Sequence, residues 1–318
     1  MAKRHRRHPR SPLSRSLIAG LAALALSACQ VAAPVSPVPD SAPEDPPERS
    51  AESLAFEAYY ANVQERLLND GFLRTDGGGP DTPITARSLA ETFERIALYD
   101  EYALSGGRFI QRETPAVLRR WTAPVRLQAH FGPSTTEAER AEDRAYLSNY
   151  ARRLAGLTGH PVSTVQGNGN FHVLYLNRDE QLAAGDLLRL LVPGIGPDIV
   201  REITGLPRFA FCSVYAFSSA DNPSEYVAAV AIIRTEHPDL LRRSCVHEEI
   251  AQGLGLPNDS PSARPSIFND DEEFALLTRL DELMLRMLYD RRLAPGISAE
   301  EARPVVRQIA EELMGGST

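Results

Sequence analysis

The chain has 318 residues, 43% of them hydrophobic and 24% charged, which is enough to bury at least one full core and argues for one substantial domain with smaller additions. Its 34 lysines and arginines stand against 42 aspartates and glutamates, a formal charge of −8. That balance opposes nucleic-acid backbones and anionic head groups, so no nucleic acid is expected as a partner.

Residues 1–28 read as an export signal that stands outside the fold. Lys3, Arg4, Arg6, Arg7, Arg10 and Arg15 precede an apolar run, Leu17 to Leu26, that is too short to span a bilayer stably. The run ends in Leu26, Ser27, Ala28, Cys29, which resembles the lipobox of bacterial lipoproteins. The resemblance implies a mature chain starting at a diacylated Cys29 and held to the membrane by the lipid; an ordinary secretory signal cleaved nearby is the alternative. Gln30 in place of an aspartate implies sorting to the outer membrane of a two-membraned host, on its periplasmic face. Loss of the signal removes six basic and no acidic residues, leaving 28 basic against 42 acidic, or −14.

Residues 29–50 hold six prolines among Ser, Ala and acidic residues and predict a solvated, extended tether. Residues 51–105 predict a small helical segment. Leu54, Tyr59, Val63 and Leu67 recur at helical spacing over Ala51–Leu68, and Leu89, Phe93, Ile96 and Ala97 do so over Ala86–Leu104, with Thr85 as a cap. Gly77, Gly78, Gly79 and Pro80 form the loop between them.

The main domain is expected over residues 106–293. Arg119–Phe131 opens it as a strand, since Val125, Leu127 and Ala129 alternate with Arg126, Gln128 and His130. Glu137–Leu157 follows as a helix, then Phe171–Leu176, Phe209–Phe217 and Tyr226–Arg234 as strands. The last leads through His237, Pro238 and Asp239 into a central helix. A helix over Thr278–Asp290 carries a capping box between Thr278 and Asp281. Residues 294–318 form a C-terminal helix and tail, capped by Ser298 with Glu301 and interrupted by Pro304. The order of elements predicts an α+β fold. Of the two cysteines left in an exported chain, Cys212 and Cys245, a disulfide is the expected state. It would stabilise by about 3 to 4 kcal/mol in the chain-entropy model.

The chemistry is concentrated in Arg242–Asp259, RRSCVHEEIAQGLGLPND. Glu248, Glu249, Gln252, Gly255 and Asn258 fall at relative positions 0, 1, 4, 7 and 10. This spacing resembles HExxHxxGxxH, the zinc signature of the metzincin peptidases, with all three histidines replaced. The resemblance covers residues 119–293 and implies a zincin-like domain: a mixed sheet, a motif helix and a C-terminal helix below the site. It implies Glu248, Gln252 and Asn258 at the metal positions, Glu249 as general base and Gly255 at the turn, with His247 and Asp259 lining the site. Phe268 stands where the methionine turn has its methionine. HEEIAQGLGLPND with the later LTRLDELMLRMLYD also resembles a family of bacterial envelope lipoproteins of unknown function.

One carboxylate and two amides supply no imidazole and suit a hard divalent metal ion better than zinc. The alternative is a hydrogen-bonded polar cluster without metal, so no cofactor is assigned. His247 lies outside the helical pair; it is expected to bond a backbone carbonyl or to pair with Glu248. Leu191–Ile203, LVPGIGPDIVREI, resembles a helix-hairpin-helix turn, but in a single copy within an acidic chain it reads as a glycine-proline turn between helices. Two functions are compatible with the sequence: a non-catalytic binding or structural lipoprotein whose partner is a peptide or envelope protein, and an atypical metal-dependent peptidase using Glu249.

Overall fold

The computed structural model describes residues 47–315, apart from 106, 107 and 270; the expected signal, Cys29 and residues 30–46 of the tether lie outside the described residues. The elements run α1 (Ala51–Asn69), α2 (Ala86–Ala97), β1 (Tyr99–Ser105), β2 (Arg108–Pro115), β3 (Val125–Phe131), α3 (Glu137–Thr158), β4 (Val162–Thr164), β5 (Phe171–Leu176), α4 (Arg178–Ala183), α5 (Gly185–Leu191), α6 (Pro197–Thr204), β6 (Ser213–Ser218), β7 (Tyr226–Arg234), α7 (Asp239–Gly255), α8 (Arg279–Leu288) and α9 (Ala299–Leu313). The fold is α+β. Among the described residues no helix is long and apolar enough to cross a membrane.

Several helix starts follow from side chains that satisfy the free amides of the first turn. Thr278 and Asp281 make the expected reciprocal box on α8, Ser298 and Glu301 make it on α9, and Thr136 with Glu139 makes it on α3. Thr85 caps α2 as read from the sequence, but the box is completed by Ser88. The helix expected to reach Leu104 stops at Ala97. The chain turns at Leu98 into a hairpin in which β1 and β2 pair antiparallel, Tyr99 opposite Pro115. Strand β3 begins at Val125, six residues later than Arg119, because Leu118 and Arg120 bond instead to Ile297 and Ser224. Pro304 lies inside α9, which runs on to Leu313.

The main sheet has the order β4-β3-β5-β7-β6, parallel throughout except for β6, which runs antiparallel to β7 at one edge. Alternation along each strand sends residues to opposite faces. Phe171, Val173 and Tyr175 of β5 and Ala229, Ala231 and Ile233 of β7 join the core shared with α2, α3, α7, α8 and α9. Leu174, Leu176, Val230 and Ile232 face the other way, onto α4, α5 and α6. Helix α1 adds a smaller cluster in which Phe56, Tyr60 and Val63 meet Leu241 at the start of α7.

Helix α7 is therefore covered on several sides, and two glycines let it fit. A Cβ on Gly253 would lie 2.5 Å from the Phe171 ring and 3.1 Å from Val214, so the helix could not approach β5 and β6 as closely with any other residue there. Gly255 ends the helix at φ +131°, a conformation closed to L side chains, with the Arg119 carbonyl 2.3 Å from where its Cβ would stand.

Candidate functional site on the central helix

Three neighbours fix α7 by donating to carbonyls of its C-terminal half: Tyr150 Oη to His247 O at 2.8 Å, Trp121 Nε1 to Gly253 O at 2.8 Å and Tyr289 Oη to Leu254 O at 3.1 Å. On the helix held this way, Glu248 is half-buried and Glu249 is only 4% exposed. Their carboxylate oxygens and Cys212 Sγ all lie within 4.8 Å of one another. Cys212 is bonded to Cys245, with Cα atoms 5.8 Å apart, so the sulfur is a disulfide sulfur and not a thiolate. The bridge ties the segment entering β6 to the middle of α7.

Glu249 Oε2 is buried with no hydrogen-bond partner. Burial first, and then the Asp259 carboxylate, push its carboxyl well above the usual carboxylate range. Gln252 turns its amide nitrogen onto Asp259, 3.1 and 3.2 Å from the two carboxylate oxygens. Asn258, 1% exposed, donates its side-chain nitrogen to Arg95 O at 2.9 Å and its backbone N–H to Ile96 O at 3.2 Å, fastening the end of the motif to the end of α2. Its Oδ1 is also buried without a partner. The five residues thus form two groups on one helix and its exit: Glu248 with Glu249 beside the disulfide, and Gln252 with Asp259, while Asn258 is tied away to α2.

This donor set does not fit zinc in the manner of a three-histidine site. No imidazole is present at any of the three positions, Asn258 is held against α2 by its side-chain nitrogen and its backbone N–H, and the nearby sulfur is oxidised. We therefore derive no step through a metal at these positions.

His247 faces another direction. Its ring stacks on Tyr150 at 4.1 Å between centroids and on Tyr146 at 5.8 Å. Leu277 N–H donates to Nδ1 at 2.9 Å, so the proton of the neutral ring sits on Nε2, which donates to Tyr146 Oη at 2.9 Å. Burial, then the Arg153 charge, pull its pKa down to about 3. His237, buried just before α7, is likewise pulled down to about 3, by burial and then by Arg234 and Arg242. These folded values lie below the unfolded value of about 6.5, so the stability the neutral rings contribute is complete above that pH and is lost as pH falls toward 3. Replacing His247 with phenylalanine is expected to flatten the pH dependence of urea unfolding between pH 6.5 and 5 by about one proton, or about 1.4 kcal/mol per pH unit. An unchanged slope would place the proton elsewhere.

Phe268 is fully buried in a turn closed by Ser260 N–H donating to Phe268 O at 2.8 Å, while Ser266 Oγ donates to Asp281 at 2.6 Å. The turn therefore rests on the cap of α8. Gly194 and Gly196 lie between α5 and α6, as a turn between helices. The arginines beside them pair within their own helices, Arg189 with Asp186 at 3.0 Å and Arg201 with Asp198.

Sequence reasoning did not find Tyr146, Tyr150, Tyr215 or His237 as neighbours of the motif. The first two offered a signal, since a four-residue separation puts both on one face of α3. Tyr215, on β6, donates to Glu202 at 2.9 Å, and its phenol is pushed up by burial and by the charges of Glu202 and Glu249.

No curated protein and no solved structure matches this chain. A family model described as a protein of unknown function, DUF2927, matches residues 86–308, a span that begins at α2 and ends within α9. It takes in the sheet, the motif helix and the helices beneath it, and the chain belongs to the DUF2927 family.

Proposed function

We propose that the chain is an envelope lipoprotein, anchored through Cys29 at the periplasmic face of the outer membrane, whose zincin-like domain binds a partner and does not hydrolyse it. The observation that carries the non-catalytic reading is the enclosure of Glu249. A general base must reach the proton it abstracts, and this carboxyl is 4% exposed beneath a disulfide. The zincin-like reading is supported by the mixed sheet with its single antiparallel edge strand, by the motif helix under β5 and β6, and by α8 following it.

The binding surface is the outer edge of β6. Among the described residues this strand pairs on one side only, with β7, and all six of its residues are half-buried. An extended segment of an envelope protein can add to such an edge through backbone hydrogen bonds.

Two variants test the proposal. Glu249→Gln replaces a buried acid by a neutral isostere; it is expected to leave the fold intact and stability at pH 7 unchanged to within about 1 kcal/mol, or raised. Collapse of the fold in this variant would mean that the carboxylate is needed in its charged form. Cys29→Ala should move the protein from the membrane to the soluble fraction on cell fractionation, and continued sedimentation with membranes would contradict the anchor.

A further inference from the structure

Strands β3 and β5 bring two histidines together on the face of the sheet opposite the motif helix. His130 is the last residue but one of β3, and His172 is the second residue of β5. Both alternate with residues that face the main core, Leu127 and Ala129 on β3 and Phe171 and Val173 on β5, so both point the other way. In the parallel register Gln128 stands opposite His172 and Leu174 opposite His130, and the two rings meet on the diagonal. His130 Nε2 lies 3.1 Å from His172 Nδ1, with the ring centroids 5.1 Å apart and the rings tilted by 57°. His172 is 5% exposed and His130 is half-buried, so one ring is fixed and the other reaches solvent. Neither the motif nor the β6 edge uses this pair. Burial lowers the His130 pKa. Burial first, and then the ring of His130, pull His172 down to about 4, against a hydrogen bond to the Leu191 backbone that favours a proton on the ring. At pH 7 both rings are therefore neutral, and protons do not compete for their lone pairs.

We propose that His130 and His172 form an exchangeable site for one Cu2+ ion, held between His130 Nε2 and His172 Nδ1. A metal about 2.0 to 2.1 Å from two imidazole nitrogens holds them about 2.8 to 3.4 Å apart, from the square-planar to the tetrahedral angle. The separation of 3.1 Å lies inside that range, so the strands need not move. Among divalent ions that imidazole suits, Cu2+ binds a given nitrogen set most tightly, and its tetragonal geometry accepts two nitrogens in neighbouring positions with water at the others. Two protein ligands leave the ion open to solvent, and dialysis removes it. The site shares no residue with the motif on α7.

Binding needs one proton to move. With the Leu191 bond at Nε2 of His172, Nδ1 of that ring carries the lone pair and His130 Nε2–H donates to it. As the ion enters, the His130 proton leaves Nε2 and a proton is taken up at Nδ1 through solvent, so both facing nitrogens bind the metal. The ring stays neutral, no proton is released on balance and the copper keeps its oxidation state.

The test uses the mature, oxidised chain carrying Cys29→Ala, which removes the one cysteine outside the disulfide, after dialysis against metal-free buffer. Cu2+ is titrated by calorimetry, and the complex is examined by pulsed electron paramagnetic resonance, which counts coordinated imidazoles through their remote nitrogens. One ion per chain with two imidazoles is expected, together with a rise of about 5 °C or more in the unfolding midpoint at a hundredfold excess of free Cu2+ over its Kd. His130→Asn should weaken binding by about tenfold or more and abolish that rise while still unfolding cooperatively. His160→Asn, whose ring lies on the Ala123 carbonyl away from the pair, should bind as the parent does. The imidazole count in the parent decides the matter without any variant. A folded parent that binds no Cu2+, a complex with a single imidazole, or equal affinity in His130→Asn would overturn the proposal.

Discussion

Replacing Gly255 with alanine is expected to lower the stability of the domain by about 3 kcal/mol or more. Two costs combine. At φ +131° an L residue is held in a conformation worth about 1 to 3 kcal/mol of strain, and the added Cβ would stand 2.3 Å from Arg119 O and 3.2 and 3.3 Å from the Leu288 methyls. The carbonyl cannot easily retreat, because Trp121, two residues on, is bonded to the same helix end at Gly253. Urea denaturation of Gly255→Ala against Gly156→Ala isolates the cause. Gly156 lies inside α3 with nothing within 4 Å of its Cβ position, so alanine there should stabilise by about 0.5 to 1 kcal/mol. Equal losses at the two sites would refute the argument.

Loss of the disulfide comes next in size. Cys212 and Cys245 close a loop with a sequence separation of 33, for which the chain-entropy model gives about 3 to 4 kcal/mol. Cys245 is 2% exposed and packed in the main core, so Cys245→Ser adds the cost of burying a hydroxyl, whereas reduction does not. Denaturation midpoints should therefore fall in the order oxidised, reduced, Cys245→Ser. A reduced protein as stable as the oxidised one would show that the bridge constrains little of the unfolded chain.

The parts of the fold that could be read along the chain are those set by near neighbours. β7 spans Tyr226–Arg234 as its apolar run indicates, and the starts of α8 and α9 follow from the boxes between Thr278 and Asp281 and between Ser298 and Glu301. The hairpin of β1 and β2 could not be read that way: Tyr99–Leu104 continues an apolar helical pattern, and it becomes a strand through pairing with residues from Arg108 onward. The same division applies to the site. That Glu248 and Glu249 share one helix with Gln252 is a matter of spacing. What each side chain faces is decided by partners distant in sequence, namely Tyr146 and Leu277 for His247, Arg95 for Asn258 and Cys212 for the glutamate pair. Spacing alone also cannot tell a residue aimed at a cleft from one covered by an edge strand, and Glu249 is covered.

The most direct test of the central claim is the metal content of the oxidised, mature protein, purified without a histidine tag and measured by inductively coupled plasma mass spectrometry together with thermal unfolding in a chelator. On the proposed non-catalytic reading, a domain whose three motif positions offer no imidazole and whose nearby sulfur lies in a disulfide should carry no stoichiometric transition metal or calcium and should unfold at the same temperature with and without chelator. About one equivalent of metal, lost in Glu248→Ala and accompanied by a chelator-induced fall in unfolding temperature, would contradict that account and restore the hydrolase reading with Glu249 as its base.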